Sequence, residues 1–412
     1  MIRPYLATML LASATPIAAQ VPPGNSAPLA TPPTETIPPA RDALYPGGTI
    51  SVAVDATDTA RGIMRVRETI PVTSSGHMVL LYPEWLPGNH RPSGQIEKLA
   101  GLVIRANGRI VPWTRDTIDV FAFHIDVPQG ASALDVEFQF LSATKSDQGR
   151  VAMTRNLISL QPNSVSLYPA GYYVRGIPVQ MTVRYPDGFT AASALPATVT
   201  GSTYAYEKTN YEILVDSPML AGRHGKVWAL SPRVDLNVFA DKPEMLAAKP
   251  EQIEAHKRLI GQAVKTFGAQ HYDRYEFLLS LSDELGGIGL EHHRSSENGS
   301  RTDYFTEWDK NAPARNLLPH EYTHSWDGKF RRGAELWTPD FRQPMIGQSL
   351  WLYEGQTQFW GYVLQARSGL VSKQDTLDGL ASIAGFYDTA LARQWRPLID
   401  TTNDPEIGRA HV

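Results

Sequence analysis

The 412-residue sequence contains no cysteine. Disulfide bonds and a lipid carried on cysteine are therefore excluded, so stability has to come from packing and bound metal. An excess of basic residues is also missing, because 38 lysines and arginines face 42 aspartates and glutamates, for a formal net charge of -4. Binding to a nucleic-acid backbone needs a basic surface, so nucleic acid is not an expected partner.

A long uninterrupted apolar run is absent as well. The apolar stretch near the N-terminus is broken at Ser13 and Pro16, so a membrane-spanning helix is not expected. A basic start, a short apolar stretch and small residues ending at Ala19 instead predict a cleaved Sec-type signal peptide over residues 1–19. We therefore expect a periplasmic or secreted bacterial protein, without stable membrane insertion after cleavage.

Proline content and hydrophobic period divide the remaining chain into three parts. Residues 20–47 are rich in proline and poor in large apolar residues, which predicts an extended linker. Alternation of apolar and polar residues, as in Leu134 to Phe140, with frequent turn signals, predicts an antiparallel β-rich domain over residues 48–240. Helical spacing between Ile253 and Phe267, followed by further strands and helices, predicts a mixed α/β domain over residues 241–405.

One five-residue string, His320-Glu321-Tyr322-Thr323-His324, carries a specific mechanism. Residues four apart project from one face of a helix, so both imidazoles can bind one Zn²⁺ while Glu321 lies beside its water. Zinc lowers the pKa of this water to about 7, and a carboxylate can take its proton. The string predicts His320 and His324 as zinc ligands and Glu321 as the catalytic base. Two surface histidines without metal are the alternative.

A catalytic zinc site needs a third protein ligand, and Glu354 is the candidate. It lies near the start of an aromatic-rich segment that is predicted to form a helix. Ser349 is the candidate N-cap of this helix, which is predicted to end at Ser368-Gly369. Aromatic neighbours such as Trp351 are expected to pack beneath the site. The alternative for Glu354 is an ordinary solvated carboxylate.

Several strings together resemble the M61 family of metallopeptidases, the glycyl aminopeptidase family, which belongs to the thermolysin-like gluzincins. In the front domain the matching strings are Pro83-Glu84-Trp85-Leu86-Pro87-Gly88 and Val215-Asp216-Ser217-Pro218. In the second domain they are Gly289-Leu290-Glu291-His292, the zinc segment His320 to Trp326, and the glutamate segment Leu350 to Thr357. Asp327 stands where the family usually has asparagine.

The resemblance implies an antiparallel β-rich domain followed by a thermolysin-like α/β catalytic domain, with zinc as cofactor. It implies an aminopeptidase that releases small N-terminal residues, glycine or alanine, from peptides. Glu291 would receive the free α-amino group of the substrate, which Gly289 and Leu290 would also contact. A carboxylate near zinc can pair with an ammonium and so fix the scissile bond one residue in. The alternative for Glu291 is a strand-end carboxylate paired with Arg294.

In the M61 family, the chain continues after the glutamate segment with a tyrosine segment that stabilises the oxyanion, and commonly with a PDZ domain. Neither occurs here, and residues 406–412 can be encoded by a sequence that resembles a common sequencing adapter. We therefore expect a catalytic domain that is incomplete after Pro405 and a non-native tail over residues 406–412. Loss of one oxyanion donor costs about a hundred- to a thousand-fold in rate, so weak activity is expected.

Two other functions stay open. A zinc-stabilised binding protein would not catalyse, although a structural zinc gains nothing from a base such as Glu321 beside it. A zinc endopeptidase would use the same ligands and base without needing a free N-terminus on its substrate. The sequence does not decide the preferred N-terminal residue or the oligomeric state.

Overall fold

The computed structural model describes residues 37–402. The predicted signal peptide, most of the predicted linker and the predicted tail lie outside these residues. The strands of the front domain are β1 (Ile50–Asp58), β2 (Ile63–Pro71), β3 (Gly76–Leu81), β4 (Leu99–Ala106), β5 (Arg109–Ile110), β6 (Trp113–Arg115), β7 (Ala122–Val127), β8 (Ala133–Leu141), β9 (Leu157–Leu160), β10 (Tyr168–Pro169), β11 (Pro178–Arg184), β12 (Thr190–Ser193), β13 (Ala197–Thr200), β14 (Thr203–Tyr206), β15 (Thr209–Asn210) and β16 (Met219–Gly222).

The later strands are β17 (His224–Ser231), β18 (Val234–Ala240), β19 (Tyr275–Leu281), β20 (Gly289–Glu291) and β21 (Ser295–Ser300). The helices are α1 (Tyr211–Val215), α2 (Pro250–Phe267), α3 (Leu317–Thr323), α4 (Leu350–Ser368), α5 (Lys373–Asp388) and α6 (Leu398–Thr401). A β-rich part followed by a mixed α/β part is thus confirmed. Among the described helices, none combines the length and the hydrophobicity that crossing a membrane requires.

The front domain is built on a nine-stranded sheet in the order β13-β14-β11-β1-β2-β8-β4-β5, with β15 beside β11. Two smaller sheets, β10-β3-β7-β6 and β12-β16-β9, complete it. The alternation in β8 is confirmed, since Leu134, Val136, Phe138 and Phe140 are all buried. The sheet is not wholly antiparallel, because β1 and β11 pair in parallel. These two strands are far apart in sequence, so no local turn signal could show their direction.

The end of the predicted linker already belongs to the front domain. Tyr45 is 7% exposed, packs in the core of that domain and donates its hydroxyl to the Pro71 carbonyl. The Arg41 backbone N–H donates to the Gly171 carbonyl at 3.2 Å. The predicted linker boundary at residue 47 is therefore too late.

A five-stranded sheet in the order β17-β18-β19-β21-β20 forms the second domain. Strands β18, β19 and β21 run parallel, whereas β17 and β20 pair antiparallel at the two edges. Because β17 begins at His224, the predicted domain boundary at residues 240 and 241 is wrong. The β17–β18 hairpin has the same alternating pattern as the front domain, and only its pairing with β19 assigns it to the second domain.

Opposite faces of this sheet pack against different partners. On β19, Phe277 and Leu279 belong to the core shared with α2, α3 and α4. Leu278, between them, packs with Leu157 of β9 and Leu220 of β16 from the front domain. The helices that carry the site are thus supported by a sheet whose other face rests on the front domain.

Helix α4 differs from its prediction at its N-terminal end. Trp351 and Phe359 are 50% and 52% exposed and face outward, whereas Tyr353 is 6% exposed and packs beneath the site as expected. Ser349 precedes the helix, but its hydroxyl donates to Glu335 at 2.9 Å and accepts no N–H from the first turn. The predicted end of the helix is confirmed, since Gly369 follows with a left-handed φ of 75°.

Candidate metal centre and active site

Helices α3 and α4 pack together and bring the predicted ligands to one point. Helix α3 ends one residue before His324, which keeps helical dihedral angles, so the four-residue spacing places both imidazoles on one face. The Nε2 atoms of His320 and His324 are 3.2 Å apart. Oε2 of Glu354 lies 3.3 Å from the first and 3.4 Å from the second.

This triangle of donor atoms fits a tetrahedral metal ion. Zinc–ligand bonds of about 2.0–2.1 Å in a tetrahedral site separate the ligand atoms by about 3.3 Å. Two imidazoles and one carboxylate are also the donor set that zinc commonly takes in catalytic sites. The side chains of His324 and Glu354 are only 1% and 20% exposed, so surface histidines and a solvated carboxylate do not describe this cluster.

Hydrogen bonds behind the ligands fix the orientation of His324. Its Nδ1 donates to the Asp327 backbone carbonyl at 3.0 Å, which leaves the lone pair of Nε2 for a metal. The Thr357 hydroxyl donates to the Asp327 carboxylate at 3.3 Å and so ties this support to α4. Nδ1 of His320 is buried without a hydrogen-bond partner among residues 37–402.

The charge of the cluster also favours a cation. Burial raises the pKa of Glu321 to about 8, and the charges of Glu291 and Glu354 add to that rise. Burial alone would lower the pKa of His324, yet the charges of Glu354 and Glu291 raise it to about 9. The negative charges of Glu291, Glu321 and Glu354 thus raise the pKa values of neighbouring groups. A divalent cation would neutralise the same excess negative charge.

Glu321 lines a cleft of about 620 Å³ together with His320, one of the candidate ligands. The cleft is lined by the ends of β19 and β21 and by residues of α3 and α4, among them His320 and Glu321. Gly289, at the exposed start of edge strand β20, packs against the base, because a methyl group there would lie 2.6 Å from Glu321 Oε1. The predicted base and one predicted substrate residue therefore meet beside this cleft.

Glu291 is placed differently from its neighbour Gly289. It is 3% exposed, accepts a hydrogen bond from the Tyr353 hydroxyl and is not among the described residues that line the cleft. Burial alone would raise its pKa, but the charges of His324 and Lys329 outweigh burial and lower it. The alternative for Glu291, a pair with Arg294, does not form, because Arg294 pairs with Asp273 at 3.0 Å.

The loop of the front domain that contains Gly88 reaches this region. Gly88 has a φ of 82°, and a methyl group there would lie 2.7 Å from both Glu291 Oε2 and the Leu290 side chain. Leu290, predicted to contact substrate, is buried beneath this loop.

Sequence reasoning missed two residues of the site. Nε2 of His90 lies 2.7 Å from Oε1 of Glu354, although 264 positions separate the two residues. In the sequence, only the preceding string Pro83 to Gly88, one of those that resemble the M61 family, marked this loop. Tyr353 packs its ring against both His90 and His324. Its position next to Glu354 is the one signal that could have identified it.

Comparison with solved structures relates this fold to known proteins. An aminopeptidase N family protein from Idiomarina loihiensis matches with a TM-score of 0.67 and 19% sequence identity over 80% of this chain. The matched region spans 56% of that protein's chain. The likeness places the chain in the fold class of that protein. A comparison with curated proteins found no match.

Comparison with family models is more specific. Residues 51–223 match the Peptidase M61 N-terminal domain, and residues 314–411 match M61 glycyl aminopeptidase. The first match ends where the second sheet begins at His224. The second runs into the predicted tail over residues 406–412. Together the two models match more than half of the sequence, and the chain belongs to the M61 peptidase family.

Proposed function

We propose that this protein is a zinc-dependent aminopeptidase with a thermolysin-like catalytic domain. The observation that carries the proposal is the 3.2–3.4 Å triangle of His320, His324 and Glu354 donor atoms, with Glu321 beside it at the cleft. The match to M61 glycyl aminopeptidase supports release of a small N-terminal residue, glycine or alanine.

The residues of the site divide the chemistry among them. His320, His324 and Glu354 would hold the zinc ion, which when bound lowers the pKa of water to about 7 and polarises a carbonyl. Glu321 takes a proton from the attacking water on its carboxylate and returns it to the leaving amine. Without metal, burial raises the pKa of Glu321 to about 8, and the charge of a zinc ion beside it would lower this pKa and favour the ionised carboxylate that a base requires. Gly289 exposes backbone at the sheet edge, where an extended peptide can add as a strand.

Zinc analysis of the purified chain tests the ligands. We expect near-stoichiometric zinc in the wild type and none in the His320→Ala, His324→Ala double variant. Glu321→Gln serves as the matched variant, because it should keep its zinc and lose peptide hydrolysis. Absence of zinc from the wild type would refute the metal site, and unchanged function of Glu321→Gln would favour a zinc-stabilised binding protein.

The need for a free amine separates an aminopeptidase from an endopeptidase. We propose that Glu291 receives the substrate ammonium, which its carboxylate charge supports. An endopeptidase is the second candidate, because Glu291 is covered by Tyr353 and Gly88 and lies away from the described cleft lining. Hydrolysis rates of a peptide and its N-acetylated form decide between them. Equal rates would remove the role of Glu291 and favour the endopeptidase.

We also propose export to the bacterial periplasm or the medium through the signal over residues 1–19. The basic, apolar and small-residue order of that segment supports this location. N-terminal sequencing of the protein from a periplasmic fraction should begin at Gln20. An intact Met1 in the mature protein would contradict it.

A further inference from the structure

His90 approaches the candidate metal centre from the front domain. It follows a turn in which the Asn89 N–H donates to the Leu86 carbonyl at 3.2 Å, and a bridge between Trp85 and Pro92 closes the loop. His90 is 5% exposed and has a left-handed φ of 53°, a conformation that few residues other than glycine adopt. The turn and the bridge therefore fix the loop that carries the His90 imidazole.

The contact with Glu354 divides the two oxygens of that carboxylate. Nε2 of His90 lies 2.7 Å from Oε1, and an ionised carboxylate only accepts, so this nitrogen carries the proton. Oε2 is the oxygen that lies 3.3 and 3.4 Å from the nitrogens of His320 and His324. One oxygen therefore faces the donor cluster while the other is engaged by the front domain.

Tyr353 supports this arrangement from below. Its ring centroid lies 5.2 Å from that of His90 in an edge-on contact and 4.7 Å from that of His324. The imidazole that bonds Glu354 and the imidazole of a candidate ligand are thus packed against the same ring. Movement of His90 would disturb the donor triangle directly.

We propose that His90 is a positioning residue that holds Glu354 as a one-oxygen metal ligand. The inference rests on the proposed zinc site. With Oε1 held by His90, Oε2 is the oxygen turned toward the ion, and coordination positions would stay open for water and a substrate carbonyl. Without the His90 N–H, Oε1 is free to turn toward the ion and fill one of those positions.

Two amide variants of equal chemistry but different length test the proposal. The amide nitrogen of His90→Gln can reach the position of Nε2, whereas the amide of His90→Asn ends short of Glu354. Asparagine also tolerates the left-handed backbone, so its variant is the less strained of the two. The readouts are the zinc dissociation constant and the visible absorption of the Co²⁺-loaded protein, which weakens when coordination number rises.

We expect His90→Gln to keep the wild-type affinity and Co²⁺ spectrum. His90→Asn should lose about 10- to 100-fold in zinc affinity and show weaker absorption, as removal of an outer partner of a ligand does. Wild-type values for His90→Asn, or equal losses in both variants, would overturn the role of His90 and leave the metal site intact. Failure of the wild type to bind either ion would overturn the site itself and this inference with it.

Discussion

At the scale of single residues, Tyr353 connects three side chains of the candidate site. Its hydroxyl donates to Glu291 and its ring contacts His90 and His324. Gly328, with a φ of 126°, lets the chain pass against this ring, because a methyl group there would lie 2.2 Å from it. Position 353 therefore tolerates little change in the size or shape of its side chain.

Tyr353→Phe should separate the hydroxyl from the ring. The ring contacts remain, but the buried Glu291 carboxylate loses a hydrogen bond, which for a charged acceptor is worth about 1.5–3 kcal/mol. We expect the free energy of unfolding of the zinc-free protein to fall by this amount, with zinc stoichiometry unchanged. Denaturant unfolding measures it, with Tyr387→Phe on α5 as the control. Equal stability of Tyr353→Phe and wild type would contradict the expected loss.

Glu68 is a carboxylate buried in the core of the front domain, 1% exposed on β2. One oxygen accepts the Leu167 N–H at 2.9 Å, and the other has no partner among the described residues. Burial raises its pKa from 4.5 to about 8. The folded chain therefore keeps this proton to a higher pH than the unfolded chain, and stability falls as pH rises between these two values.

Glu68→Gln should remove that fall, because the amide does not ionise. We expect the variant to gain stability relative to wild type as pH rises from 5 to 8, by up to about 1.4 kcal/mol per pH unit. Thermal or denaturant unfolding over this pH range measures the difference. Glu97→Gln, at an exposed position, should show no such trend. A constant difference between Glu68→Gln and wild type would contradict the raised pKa.

At the scale of elements, local spacing was enough to predict most of the candidate metal centre. The four-residue interval of His320 and His324 implies one helix face, and α3 presents both on that face. Glu354 could be found because an acidic residue stood at the start of a second helical segment. Strand β8 could be predicted in the same way, because the alternation of apolar and polar residues from Leu134 to Phe140 is a local signal.

Contacts between distant elements could not be predicted in the same way. The hydrogen bond between His90 and Glu354 joins residues of two different domains, so no local sequence pattern could predict it. Glu68 occupies an inward position of β2 where the alternation predicts an apolar residue. Strand β17 was assigned to the wrong domain, because the local sequence pattern predicts that a segment forms a strand but not which strand it pairs with.

The fit of β20 against α3 can be tested with one methyl group. Gly289→Ala would place a carbon 2.6 Å from Glu321 Oε1 and 2.7 Å from the Leu317 side chain. The base must then move, and a displacement near 1 Å costs about 100-fold in rate. We expect kcat/KM for a peptide substrate to fall by that factor while zinc content stays unchanged.

Gly261→Ala on α2 is the matched control, since a methyl group there meets no heavy atom within 4 Å. It should leave hydrolysis unchanged and stabilise the helix by up to about 1 kcal/mol. Full activity of Gly289→Ala would show that the strand and helix are looser than the close packing implies.

At the scale of the whole molecule, a buried ion pair joins the front domain to the segment after α3. Lys329 Nζ donates to Asp216 Oδ1 at 3.0 Å, and the two side chains are 1% and 7% exposed. Asp216 also accepts from the His293 backbone N–H at 2.7 Å. Burial alone would raise the pKa of Asp216, but the Lys329 charge holds it well below its usual range.

Lys329→Met should destabilise the protein strongly, because it leaves Asp216 buried without its cation. Breaking such a pair costs about 3–5 kcal/mol in the free energy of unfolding. Arg175→Met, which breaks a surface pair with Asp42, should destabilise the protein far less, because solvent screens that pair. Adding Asp216→Asn to Lys329→Met should recover part of the loss. Equal effects of Lys329→Met and Arg175→Met would disprove the burial argument.

The bond between His90 and Glu354 also joins two equilibria that are usually treated apart. A side chain of the front domain holds a candidate metal ligand of the second domain, so domain docking and metal loading share one contact. Coupling of this kind is reciprocal: whatever docking adds to metal affinity, metal adds to docking by the same factor. The zinc concentration would then affect the stability of the contact between the two domains. The zinc-free protein would be more susceptible to proteolysis.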